Sequence, residues 1–309
     1  MLQFILRRLL GAIPVLLCIT LVVFLLMFVI PGDPITALID PRAAELNPDA
    51  VKLLRAKWGL DHPVHIRYWK FLCNAVRGDL GKSYRTNQQV LEAVLQRVPA
   101  TLQLAAASVA WATLVGVSAG IISAVKQYSV IDFLFMLLAL IGVSMPVFWL
   151  GLMLMYLVGV RWPLLPPSGY GTWQHLVLPS ITLGSAMTAL LARITRSAML
   201  NVIRLEYITT ARSKGLAERT VVYKHALRNA LIPVVTVIGL QMAGLMGGAV
   251  ITESVFGWPG VGRLTVDAIA WRDMPLVQGC VLFLACAFVV VSLMVDVVYA
   301  LIDPRVRYD

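Results

Sequence analysis

Six stretches of this chain are each long and apolar enough to cross a lipid bilayer as a helix, and no other feature narrows its fold so far. A hydrocarbon core about 30 Å thick takes about 20 residues of helix, because each residue rises about 1.5 Å. The runs fall at residues 9–30, 101–125, 133–160, 177–198, 231–252 and 277–301. A bilayer core offers no water to backbone polar groups, so such runs fold as helices rather than as loops or open sheets. The expected fold is an all-α polytopic membrane protein with six transmembrane helices. Composition agrees: 59% of residues are hydrophobic and 14% charged, against about 45–50% and about 25% in soluble domains.

The first run follows Arg7-Arg8. It is too long for the apolar core of a signal peptide, and Ile30-Pro31-Gly32-Asp33 offers no small-x-small cleavage site, so it reads as an uncleaved anchor. Arg7, Arg8, Lys126, the cluster from Arg193 to Arg228, Arg305 and Arg307 all fall on one side if six spans alternate. The positive-inside rule places that side, with both termini, in the cytoplasm. Residues 31–100 then lie outside, although they hold ten Lys or Arg against seven Asp or Glu. Long segments translocate largely regardless of charge. The net charge of +10 therefore reads as cytoplasmic loops and lipid contact. No basic patch is interleaved with stacking aromatics, so no nucleic-acid partner is expected.

The expected organisation is an anchor helix over 1–30, a helical extracytoplasmic segment over 31–100, a core over 101–302 and a cytoplasmic tail over 303–309. In the outer segment, Asn47-Pro48 opens a helix that Gly59 ends, and Asp61 to Gly78 supplies a second, with Ile66, Trp69, Phe71 and Leu72 available to pack. Asn87 is placed to cap a third, running through Val90 and Leu95 to Pro99 and the second span.

Motifs for chemistry are scarce. Gly81-Lys82-Ser83 resembles the end of a phosphate-binding loop, but the required earlier glycine is Val76. His62 and His65 lack a third ligand at useful spacing, and no Cys pair has metal-ligand spacing, so no metal site is expected. No nucleophile–base arrangement is readable. The chain is not expected to be an enzyme.

Polar and small residues inside the spans offer more. Ala243, Gly244, Gly247 and Gly248 form overlapping small-xxx-small pairs, suited either to static packing or to a helix that shifts against a neighbour. The same run leads into Glu253-Ser-Val-Phe256-Gly-Trp258-Pro259-Gly-Val-Gly, a turn-rich stretch that reads as an outer gate or as a plain interfacial turn. Asp296 lies inside the last run, as a cation site, an interhelical partner, or a group that pairs with Arg305 or reaches water. Pro146 is expected to kink the third span.

Between the fourth and fifth runs lies Glu206 to Pro233, flanked by Arg204 and carrying Arg212, Lys214, Arg219, Lys224 and Arg228. Helix formers from Met199 to Leu216 stop at Gly215, and a second short helix from Glu218 to Ala226 returns the chain to Pro233. Thr209, Thr210 and Ala211, with Arg212, Ser213 and Lys214, make a small surface with a charged rim. Anionic lipid heads account for the charge alone. They do not account for the helix–Gly–helix pattern, which suits a docking hairpin.

Thr209-Thr-Ala-Arg-Ser-Lys-Gly215 followed by Leu227-Arg-Asn-Ala-Leu-Ile-Pro233 resembles the EAA loop of inner-membrane permeases of binding-protein-dependent ABC importers. Thr209 stands where that loop usually has Glu, and Thr210 where it has Ala. Those departures, with Pro31-Gly-Asp-Pro34, Gly78-Asp-Leu-Gly81, Phe256-Gly-Trp-Pro-Gly-Val-Gly262 and Asp303-Pro-Arg305, resemble the B-type permease of the dipeptide, oligopeptide and nickel branch. The resemblance implies a type I ABC importer permease fold in the bacterial inner membrane. It also implies a homologous second permease, two cytoplasmic ATPase subunits that bind ATP and Mg, and an extracytoplasmic substrate-binding protein. By the same resemblance, Thr209 to Gly215 is the coupling helix, and residues 31–100 with the loop from Glu253 face the binding protein. No cofactor is expected in this chain.

The resemblance makes peptides the first expected cargo, with glutathione or a nickel chelate as alternatives. A self-contained channel or secondary transporter is the competing class. It predicts acid–base relays or paired half-helices within the spans.

Overall fold

The computed structural model describes residues 2–29, 35 and 48–302. The motifs at Pro31–Pro34 and Asp303–Arg305, Asn47, and the Arg305 partner expected for Asp296 lie outside them. The described residues form helices α1 (Leu2–Val29), α2 (Pro48–Trp58), α3 (Val64–Val76), α4 (Val90–Val125), α5 (Val130–Ser144), α6 (Val147–Leu154), α7 (Trp173–Ile203), α8 (Glu206–Ser213), α9 (Glu218–Thr220), α10 (Leu227–Phe256), α11 (Val261–Ala270) and α12 (Met274–Ile302). A π-helical turn over Met155–Arg161 extends α6, and another over Val221–Ala226 joins α9 to α10. Five of these runs are long and apolar enough to span a membrane, and six if the α5–α6 pair is one span. The chain divides into two compact units, residues 1–101 with 259–289, and residues 102–258 with 290–309.

In the first unit, α1 and the start of α4 gather around α11 and the first half of α12. Val90, Val94, Val261, Leu276, Val277 and Cys280 are buried together, with Val23 and Met27 of α1 against them. Gly279 admits this approach: a Cβ there would lie 2.2 Å from Val90 Cγ1. Gly59, at φ +64°, ends α2 as expected, with Leu60 N–H donating to Arg55 O. The packing face of α3 differs from the expected one. Tyr68, not Trp69, meets α1: its ring lies 5.3 Å from that of Phe24 and its hydroxyl donates to Leu17 O at 3.1 Å, while Trp69 is exposed.

Two other expectations are corrected here. Asn87 does not cap a helix; it sits at φ +57° in the loop before α4, where Lys82 and Gln89 form a β-bridge. The third outer helix and the second span are one helix, because α4 runs through Pro99. The Gly81-Lys82-Ser83 stretch has a structural use instead. Ser83 Oγ donates to Asp273 Oδ2, Arg85 N–H reaches the same oxygen at 3.3 Å, and Asp273 Oδ1 accepts from Leu276 N–H at the start of α12. The Arg85 guanidinium lies 4.5 Å over the Trp271 ring, fastening the loop to the α11–α12 turn.

The second unit is built on α7, the most buried of the candidate spans. Ser108, Gly116 and Gly120 of α4 meet Gly184, Thr188 and Thr195 of α7 in parallel order, so closely that a Cβ at Gly120 would lie 2.6 Å from Ala192 O. The chain between two parallel helices must return to its starting end. It does so through α5 and α6, whose residues meet α7 in reverse order: Asp132 beside Arg196, Gly142 beside Ala189, Gly151 beside Thr182. The third apolar run is therefore not one kinked helix. Pro146 and the extended Met145 before it break the run, and the two halves are bent by 109°.

Candidate functional site

The fourth-to-fifth span connection is an ordered surface helix seated on a buried apolar platform. After α7 ends, Arg204 and Leu205 turn the chain, and α8 runs from Glu206 to Ser213. Nothing in the sequence signals the break at Arg204–Leu205, since helix formers continue through it. Ile208 and Ala211, three residues apart on one face, are buried. They join Ile121 and Ala124 of α4, Met199 of α7, and Val221, Val222, Ala226 and Ala230 from the start of the fifth span. The ends of three spans and α8 thus share one core.

Ala211 therefore belongs to the seat and not to the presented patch, a correction to the sequence reading. Thr209, Thr210, Arg212, Ser213 and Lys214 are exposed. Two hydroxyls on that face are already satisfied within the helix, Thr210 Oγ1 donating to Glu206 O at 3.0 Å and Ser213 Oγ to Thr209 O at 3.1 Å. A partner covering this face strips little unsatisfied polarity from water, which lowers the cost of docking.

Gly215 stops the helix at φ +75°, with its N–H on Arg212 O at 2.9 Å. No atom lies within 4 Å of where its Cβ would stand, so the glycine is required for its conformation and not for space. Gly215→Ala is expected to destabilise the turn by about 1 kcal/mol, and Gly215→Asn by less. Faster backbone amide exchange over residues 206–226 in the alanine variant alone is the check. Beyond the glycine, Arg212 pairs with Glu218 through two hydrogen bonds of 2.7 and 3.1 Å. That carboxylate's hydrogen bond holds the Arg212 guanidinium above its ordinary pKa. Both groups are exposed, so the pair sets the turn's shape more than its stability. The return is not a separate short helix: α9, the π turn and α10 form one continuous run from Glu218 to Phe256. Tyr207 ties α8 to it, accepting from Asn229 Nδ2 at 2.6 Å.

Next to this platform lies a charged group that the sequence reading missed. Asp132, in the first turn of α5, is 4% exposed. Arg196 of α7 grips it with Nε to Oδ1 and Nη2 to Oδ2, both at 2.7 Å. Ser123 of α4 also donates to Oδ1, and Tyr128 N–H to Oδ2 at 3.0 Å. Every lone pair of consequence is used, so the pair is a fastener and not a relay with spare proton sites. Arg196 is consequently ion-paired and mostly sheltered. The available signal is Ser129-x-x-Asp132, a capping arrangement that opens the apolar run. A span drawn from residue 133 leaves the acid outside it.

The other named residues are scattered. Ala243 is buried, whereas Gly244 and Gly247 have no neighbour among the described residues within 4 Å of where a Cβ would stand; Gly248 lies in the same helix. Small-residue packing is found instead between α4 and α7. The turn after α10 points its aromatics inward. Glu253, Phe256 and Trp258 are buried, and Pro259 is half-buried. Gly257 caps α10 at φ +67°, Phe256 O accepts from Gly169 N–H at 2.9 Å, and Trp258 meets Tyr170 edge-on at 4.8 Å. This turn and α8 stand at opposite ends of α10, about 45 Å apart along the helix.

The described residues are helical with five or six candidate spans, and comparisons with known proteins identify the family. Residues 116–308 match the model of the binding-protein-dependent transport system inner membrane component, and residues 1–105 match that of its N-terminal region. The chain belongs to this family. It is a multi-pass inner-membrane permease subunit of an ABC importer. Among its relatives, the glutathione transport system permease protein GsiC of Salmonella paratyphi A is 44% identical over 308 residues, covering all of both chains. The GsiC of Escherichia coli K12 is 42% identical over the same length. The fold is similar to inward-facing structures of the MetNI methionine ABC transporter. In a native crystal form the TM-score is 0.57 at 17% identity, covering 69% of this chain and 97% of that one; in a selenomethionine-soaked form it is 0.58 at 16% identity, covering 68% and 96%.

Proposed function

We propose that this chain forms half of the translocation pathway of an ATP-driven glutathione importer and receives its work through α8. It pairs with a homologous permease, two cytoplasmic ATPase subunits that hold ATP and Mg, and an extracytoplasmic binding protein. Both termini lie in the cytoplasm, on the side of α8. The observation that carries the coupling assignment is the seat of Ile208 and Ala211 on the ends of three spans. A push on Thr209, Thr210 or Ser213 meets a packed core, and packed cores shift as units rather than deform.

The fastener gives that push a route. Asp132 joins α4, α5 and α7 beside the platform, so displacement of α8 carries α5 toward the break at Pro146. Substrate selection follows the relatives. Full-length identity of 44% to a glutathione permease supports glutathione over the di- or oligopeptides that the sequence motifs alone put first. A nickel chelate has no comparable support.

The test is uptake of radiolabelled glutathione into proteoliposomes holding this chain with its permease, ATPase and binding-protein partners. ATP-dependent accumulation is expected with the complete set and none with this chain alone. Accumulation by this chain alone contradicts the importer reading, and uptake of dipeptides in preference to glutathione contradicts the substrate.

A further inference from the structure

The first unit holds a cleft that none of the roles above uses. It measures about 380 Å³ and lies between α2, α3, the loop before α4 and the first turn of α12. That volume is within the range of about 300–1,000 Å³ of small-molecule sites. Its polar wall is dominated by donors. Lys57 lines it from α2; Arg67, Lys70 and Asn74 share one face of α3, at helical spacing of three and four. Arg67 is held in place through a 3.1 Å contact of Nη2 with Met274 Sδ.

The floor supplies an independent signal. Gln278 is 5% exposed and lines the cleft, and its Nε2 is buried with no hydrogen-bond partner among the described residues. Buried amide donors are rarely left unpaired, because each costs its full desolvation. An acceptor-rich ligand would satisfy it once the amide turns toward the cleft. Trp58 and Tyr84, stacked at 4.4 Å, give the cleft a flat apolar side. Burial raises the Tyr84 phenol above its ordinary pKa, so it remains a neutral hydroxyl. Asp79 is the one carboxylate on the lining among the described residues, and it already accepts from Gly81 N–H.

We infer that this cleft binds a small carboxylate-bearing peptide, with the cationic face of α3 and the Gln278 amide taking its carboxylates and Asp79 near its ammonium. Glutathione has this chemistry: two carboxylates, one ammonium and a short polar body. The inference rests on the proposed glutathione reading and on residues 31–100 lying outside the membrane. It makes the permease itself a low-affinity station for cargo outside the membrane, separate from the binding protein.

The test is calorimetric titration of the intact importer complex, without binding protein, using glutathione, its diethyl ester and sodium acetate. Saturable binding of glutathione is expected, with the ester weaker by about tenfold. Arg67→Gln with Lys70→Gln should weaken glutathione by a similar factor, while ATP hydrolysis without substrate stays unchanged. Gln278→Leu, which removes the orphan donor, should weaken binding without loss of thermal stability. No saturable binding to the wild-type complex overturns the inference, as do equal affinities for acid and ester, or unchanged binding in both variants. Acetate binding as tightly as glutathione marks an adventitious anion site and also overturns it. Failure here alongside intact ATP-driven glutathione uptake removes only the cleft. Failure of uptake removes the substrate reading.

Discussion

Asp132→Asn is expected to cost about 3–5 kcal/mol, because it leaves the Arg196 guanidinium partly buried beside a neutral group. The magnitude follows from geometry. The two side chains are 6% and 24% exposed, and they meet through two bonds of 2.7 Å. A pair this sheltered is poorly screened by water or salt. The variant should show a lowered unfolding midpoint in detergent, and Arg196→Gln should show a comparable loss from the buried carboxylate it strands. The double variant should lose less than the sum, since neither stranded charge then remains. A single-variant loss below about 1 kcal/mol would mean that the pair behaves as a surface salt bridge. The functional consequence is separate from stability. With the fastener cut, binding-protein-stimulated ATP hydrolysis should persist while uptake falls, because the platform no longer moves with α5.

Thr210→Trp is expected to do the reverse: leave the fold intact and abolish the response to ATP. Thr210 is exposed on α8, so the indole adds bulk only on the face where the proposed ATPase partner would approach. Loss of about 2 kcal/mol at an interface centre weakens association about 30-fold. Uptake should fall by at least that factor with an unchanged unfolding midpoint. Ala211→Trp makes the contrast, since the buried Ala211 sits in the seat and overpacking there costs about 1–3 kcal/mol. That variant should lose stability and uptake together. If Thr210→Trp transports normally, the presented face is not where work enters.

The residues legible in the sequence are those whose cause is local. Gly59 and Gly215 end helices because only a glycine readily takes a left-handed φ, and that can be read without knowing any neighbour. The spans are legible because a bilayer imposes its thickness on every helix. What escapes depends on partners far along the chain. Asp132 and Arg196 are 64 residues apart, and hydropathy places one outside a span and the other among cytoplasmic charges. Ala211 looks like part of a small surface patch because size is visible in a sequence and facing direction is not. Phe256 and Trp258 suit a membrane interface by type, yet the Gly257 cap folds Trp258 back onto Tyr170. Gly244 and Gly247 match a packing motif, while the closest small-residue contacts, at Gly116, Gly120 and Gly184, join two helices that lie far apart in the chain.

The central claim is that an ATPase subunit grips α8, and site-specific photo-crosslinking in the assembled importer tests it most directly. A benzophenone side chain at Thr210 or Ser213 should yield a crosslink to the ATPase subunit. The same group at Trp173, an exposed residue at the other end of α7, should yield none. Crosslinks that appear equally from Trp173, or are absent from both α8 positions in a complex that hydrolyses ATP, would contradict the account.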